Sequence, residues 1–99
     1  SDRTGLAAVF GEHLRDYPEA VVLLFGSRTD PEQRGGDIDL LIVSERAAHQ
    51  AYELSKRLRI AIKDRLGDQK VDVLVSAGGT AGEPPIVRLA LLEGVQIWP

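Results

Sequence analysis

Asp37-Ile38-Asp39 is the segment of this sequence best suited to chemistry. In an extended strand, residues i and i+2 project from one face. The two carboxylates are therefore expected to point together while Ile38 points the other way, into a core. Neighbouring carboxylates repel each other, and a divalent cation with a preference for oxygen ligands, such as Mg²⁺, relieves that repulsion. Taken alone, the pair also fits two solvated acids at an exposed strand start. Asp72 stands between Val71 and Val73. A carboxylate in an apolar strand is costly unless it meets solvent, a partner or an ion. If its strand lies beside that of Asp37 and Asp39, three carboxylates can hold two metal ions about 4 Å apart. Such a pair orients a triphosphate, an attacking oxygen and a leaving pyrophosphate for in-line displacement. The plainer alternative for Asp72 is an exposed sheet face or strand edge.

Gly26-Ser27-Arg28 supplies a second kind of chemistry. A glycine at the exit of a buried strand permits backbone angles closed to other residues and a close approach to a ligand. The following N–H groups and the Ser27 hydroxyl can hold phosphate oxygens, and Arg28 can add charge-assisted hydrogen bonds. By itself the tripeptide reads more simply as a plain turn after a strand.

The elements that must position these residues are legible from periodicity. Leu6, Val9, Phe10, Leu14 and Tyr17 form a helical stripe over residues 4–17, with Thr4 as candidate cap and Pro18 as terminator. The apolar run at 20–25 predicts a strand buried on both faces, and residues 26–36 a polar connection. Residues 37–43 predict a second strand. Residues 45–66 predict a helix that buries Ala47, Ala51, Leu54, Leu58, Ala61, Ile62 and Leu66. Its solvated face carries Glu53, Lys56, Arg57, Lys63 and Asp64, Ser44 can cap it and Gly67 can end it. A third strand at 70–75, a helix opened by Pro84-Pro85 that runs through Leu92 to stop at Gly94, and a short strand at 95–98 complete the chain.

With 99 residues, 43% hydrophobic and 27% charged, the sequence fits one globular domain over 1–99. The net charge of −3 argues against a polynucleotide partner and against an anionic membrane surface. The absence of cysteine excludes disulfides and thiolate metal sites. No signal peptide or spanning segment is visible, and a cytoplasmic location is expected. His13 and His49 have no second ligand at metal spacing and read as surface or rim residues. Tyr17 and Tyr52 read as packing residues, with self-modification the alternative. Lys56, Arg57 and Arg59 read as a solvated helix face. Trp98 is expected to cover a sheet edge or an interface.

Phe25-Gly26-Ser27, nine intervening residues and Asp37-Ile38-Asp39-Leu40, followed by Val71-Asp72-Val73, resemble the signature of the DNA polymerase β superfamily. The resemblance extends over nearly the whole chain and is closest to the minimal nucleotidyltransferases. It implies an α+β, two-layer nucleotidyltransferase fold, a mixed sheet of about four strands with helices packed against it. Asp37 and Asp39 would bind both of two Mg²⁺ ions. Asp72 would help hold the catalytic ion and ready the acceptor hydroxyl. Gly26, Ser27 and Arg28 would bind the triphosphate, ATP being the commonest donor among small members. Two features depart from the family pattern. Thr29-Asp30-Pro31 replaces a second Arg and a Gly, and Gly36 replaces a Ser before the first Asp.

No acceptor-binding domain is visible beyond the core, so the acceptor is expected to be held by another chain or by a second copy in a homo-oligomer. The minimal family members resemble antitoxin-like partners of HEPN proteins, which they silence by attaching AMP to a tyrosine. The resemblance therefore implies transfer of a nucleoside monophosphate, AMP from ATP, to a protein hydroxyl. A catalytically idle protein that masks its partner by association is the alternative.

Overall fold

The computed structural model describes the backbone of residues 2–26, 37–67, 70–79 and 81–99, and the side chains of that set from residue 5 onward, except that of Asp37. Three helices, α1 (Asp2–His13), α2 (Ala51–Leu66) and α3 (Pro85–Glu93), accompany four strands: β1 (Val21–Phe25), β2 (Asp37–Val43), β3 (Lys70–Ser76) and β4 (Val95–Trp98). The strands form one mixed sheet in the order β3-β2-β1-β4. β1 is antiparallel to both β2 and β4, whereas β2 and β3 run parallel. The α+β class and the mixed four-stranded sheet match the expectation from the sequence.

Alternation along the strands divides the sheet between two cores. Val22, Leu24, Leu40, Ile42, Val71 and Val73 face a core completed by Leu6, Val9, Phe10 and Leu14 of the first helical segment and by Leu54, Leu58 and Ile62 of α2. On the opposite face, Phe25 and Leu41 pack with Val87 and Ala90 of α3. Leu58 and Ile62 are wholly buried, and the charged residues expected on the outer face of α2 are all exposed. Phe10 and Trp98 meet with ring centroids 6.1 Å apart at 54°, so the half-buried Trp98 packs β4, an outer strand of the described sheet, against α1. No helix among the described residues is long and apolar enough to cross a membrane.

Helix ends depart from the simplest periodic reading. α1 begins at Asp2, so Thr4 lies inside its first turn rather than capping it. Its regular part stops at His13, and Leu14 to Tyr17 close as a turn in which the Tyr17 N–H donates to Leu14 O at 2.9 Å. The stripe still holds, because Leu14 remains buried. The segment expected as one helix from 45 is split into a 3₁₀ turn, Ala47–Gln50, and α2. Gln50 has φ −129° and ψ 37°, which breaks the helical path between them. Ser44 acts as the expected cap of this segment: its Oγ accepts from Ala47 N–H at 3.0 Å and its carbonyl accepts from Ala48 N–H at 3.0 Å. Gly67 ends α2 at φ 84°, its N–H donating to Lys63 O at 2.8 Å.

Two buried serines close the C-terminal ends of the parallel strands. Ser44 N–H donates to Ser76 O at 2.9 Å. The Ser76 hydroxyl donates to Glu83 at 2.7 Å and accepts from Gly78 N–H at 3.0 Å. The Ser44 hydroxyl donates to the Glu19 carboxylate. A buried hydroxyl without such a partner would carry a desolvation cost of about 1–3 kcal/mol.

The bond from Ser44 holds the Glu19 carboxyl below its ordinary range, against a smaller opposing effect of desolvation. A depressed folded value means that the stabilisation is fully present above the unfolded value of about 4.3 and is lost as pH falls through the folded value. Denaturant titrations of wild type and Glu19→Gln should therefore show a stability gap at neutral pH that closes as the solution is acidified below about pH 4. A gap of constant size across that range would contradict this linkage.

Candidate active site

The parallel register brings Asp39 of β2 opposite Asp72 of β3. Paired residues of neighbouring strands share a face, and adjacent strands lie about 4.8 Å apart. Both aspartates therefore stand on the α3 side of the sheet, in line with Leu41 and Leu74, while Ile38, Val71 and Val73 pack on the other side. Asp39 is half-buried and Asp72 exposed. Two carboxylates about 5 Å apart repel by about 1 kcal/mol in bulk water and about 3 kcal/mol at an effective dielectric of about 20. A site that keeps such a pair is fitted to a positive occupant.

β1 contributes the next component. Phe25 lies opposite Asp39, so Gly26 emerges beside the Asp39 carboxylate. Gly26 has φ +93°, and a Cβ there would fall 2.6 Å from Asp39 Oδ2. A side chain at this position would be strained by the backbone and would displace the carboxylate. The glycine thus gives Asp39 its place, a role distinct from the phosphate approach suggested by the sequence.

A cleft of about 410 Å³ opens at this point, lined by Phe25, Gly26, Asp39 and Asp72 together with Arg59 and Ile86. Its volume suits a small-molecule ligand. Leu89 extends the same wall, and both α3 residues remain substantially exposed, Ile86 at 49% and Leu89 at 44%. Sequence reasoning did not single out Ile86 and Leu89 as site residues. Their i, i+3 spacing signals a shared helical face; that the core leaves this face available to a ligand is seen only in the structure. Arg59 was read as part of a solvated helix face; it does lie exposed, but on the rim of this cleft. Another cleft, of about 370 Å³, is formed by α1 and α2 residues alone and contains no residue of the sheet.

Of the residues expected to form the site, Gly26, Asp39 and Asp72 converge. Asp37 opens β2 opposite Lys70 in the register, with its side chain outside the described residues, and Ser27 and Arg28 lie wholly outside them. Among the described residues no group of three His, Cys, Asp or Glu side chains is placed to hold a metal ion. The described pair nevertheless fits a hard cation in donor chemistry: two carboxylates, in register, with a glycine that leaves one of them its space.

Gly26→Ala should lower stability by about 1–2 kcal/mol through its left-handed backbone alone, measured by denaturant unfolding. Gly79, which has open space around its would-be Cβ, provides the control, with a change to Ala expected within about 0.5 kcal/mol. Equal effects at the two positions would contradict the strained, close-packed reading of Gly26.

No curated protein matches this sequence. A family model described as a nucleotidyltransferase domain matches residues 8–91, which takes in Gly26, both strands that carry the aspartates, and α3 up to its last turn. On that match, and with a mixed sheet that sets two carboxylates side by side next to a glycine turn, the chain belongs to the nucleotidyltransferase domain family and its general chemistry is nucleotidyl transfer.

Proposed function

We propose that this protein transfers a nucleoside monophosphate, AMP from ATP, to a hydroxyl of a protein partner, with Mg²⁺ held by Asp37, Asp39 and Asp72. The observation that carries the reading is the register of Asp39 with Asp72 beside Gly26. Bound Mg²⁺ would neutralise the triphosphate and the charge that develops as pyrophosphate leaves.

The remaining work falls to the chain. Gly26, Ser27 and Arg28 cradle the phosphates through backbone N–H groups, a hydroxyl and a guanidinium. The apolar wall of Phe25, Ile86 and Leu89 closes one side of the cleft against water. Asp72 is the exposed member of the pair and so the one an incoming acceptor can reach. It accepts a hydrogen bond from the acceptor hydroxyl and takes its proton as the oxygen bonds to the α-phosphorus. The bond from that phosphorus to the bridging oxygen breaks, and pyrophosphate leaves with the electron pair. A HEPN-like protein with an accessible tyrosine is the acceptor that the sequence resemblance implies.

Asp72→Asn preserves shape while removing the negative charge. With α-labelled ATP, Mg²⁺ and a HEPN protein as acceptor, labelling of the acceptor should fall by about a hundredfold or more, while the two proteins still associate in a pull-down. Labelling within a few-fold of wild type would remove Asp72 from the reaction. Inhibition of the acceptor that persists undiminished in this variant would favour masking by association over transfer.

A further inference from the structure

Three cations, Lys56, Arg59 and Lys63, lie along one stripe of α2 at helical spacing and are all exposed. With Lys70 they line a cleft of about 380 Å³ at the outer edge of β3 that reaches Asp72. This cleft and the one containing Asp39 share Arg59 and Asp72. Among the described residues the single ion pair joins His13 to Glu12, so none of these cations is within salt-bridge distance of a described carboxylate. In a chain of net charge −3 this is a local reversal of sign beside the site.

β3 is also the outermost strand of the described sheet, paired with β2 on one side. The outer edge of such a strand presents backbone N–H and C=O groups in a row. An added polypeptide strand satisfies them, whereas a polynucleotide does not.

We propose that the β3 edge is the acceptor dock: an extended, acidic segment of the acceptor protein adds to the sheet alongside β3, with its acids matched to the α2 cations and its hydroxyl beside Asp72. This rests on the transferase reading and names the acceptor's chemistry. Side chains of a strand alternate between faces; the α2 stripe packs on the face of β3 opposite Asp72, whereas Lys70, two residues before Asp72, shares the Asp72 face. The acceptor hydroxyl therefore points to the Asp72 face and its immediate neighbours to the α2 cations. The preferred pattern is acid, tyrosine, acid, with the acids one residue away from the tyrosine rather than two.

The test uses fluorescein-labelled peptides of equal composition, titrated with the full chain by fluorescence anisotropy without triphosphate. A peptide with Glu on both sides of a central Tyr and Thr beyond them should bind at least tenfold tighter than one with Thr and Glu exchanged. N-methylation of two alternate backbone amides, which blocks strand pairing but leaves charge unchanged, should weaken the first peptide at least tenfold, if the methylated edge is the one facing β3; the complementary N-methyl set should then bind like the parent. A Lys56→Glu, Lys63→Glu variant should lose the preference while keeping the thermal shift that Mg·ATP produces in wild type. Equal binding of the two patterns, indifference to both N-methyl sets, or tighter binding of a single-stranded oligonucleotide of the same length would each overturn the proposal. Because the peptides are read without triphosphate, a missing Mg·ATP shift in wild type counts against the transferase reading alone.

Discussion

Parallel pairing of β2 with β3 is the constraint on which the rest of the molecule depends. It sets Asp39 against Asp72, and a slip of one residue would send Asp72 to the other face and Val71 or Val73 into its place. Parallel neighbours cannot be joined by a tight turn and need a long crossover. The 3₁₀ turn and α2 supply it, and they bury Leu54, Leu58 and Ile62 against the same two strands. The apolar stripe of α2 and the alternation of β3 therefore enforce the register that places the carboxylates. Stability of the core and geometry of the site are one arrangement seen from opposite faces of the sheet.

The opposite ends of the parallel pair divide the labour. At the C-terminal ends, Ser44 and Ser76 are buried, bonded to Glu19 and Glu83, and joined through the Ser44 N–H to Ser76 O bond. At the N-terminal ends two acids stand in register near Gly26, in a cleft with an apolar wall on one side. Packing and hydrogen bonding secure one end and leave the other to the carboxylates. A functional site commonly concentrates such unfavourable groups where surrounding structure fixes them.

Much of this was legible in the residues. Continuous apolar runs marked the buried strands, and Leu54, Leu58 and Ile62 marked the face of α2 that packs. The alternation of Asp37-Ile38-Asp39 and the valines around Asp72 told which side chains share a face. Pairing of the two strands came from resemblance, since period-2 patterns fix faces but not neighbours. The break at Gln50 was hidden because Ala47 and Ala51 lie on one helical stripe whether or not the backbone is continuous. The role of Gly26 as space for Asp39 depends on a contact across thirteen positions of sequence, which local patterns do not encode. Ile86 and Leu89 show their shared face by i, i+3 spacing, but only the geometry shows that the core takes Val87 and Ala90 and leaves this pair to the cleft.

Thermal unfolding of wild type and an Asp39→Asn, Asp72→Asn variant, each with ATP alone, Mg²⁺ alone and both together, tests the central claim that the in-register pair forms a metal–nucleotide site. At about 100 times the dissociation constant, ligand adds about 2.7 kcal/mol of stability, which moves the midpoint of a domain this size by on the order of 10 °C. The account predicts that shift for wild type with ATP and Mg²⁺ together and its loss in the variant. A shift of equal size in the variant would place nucleotide binding elsewhere and contradict the account.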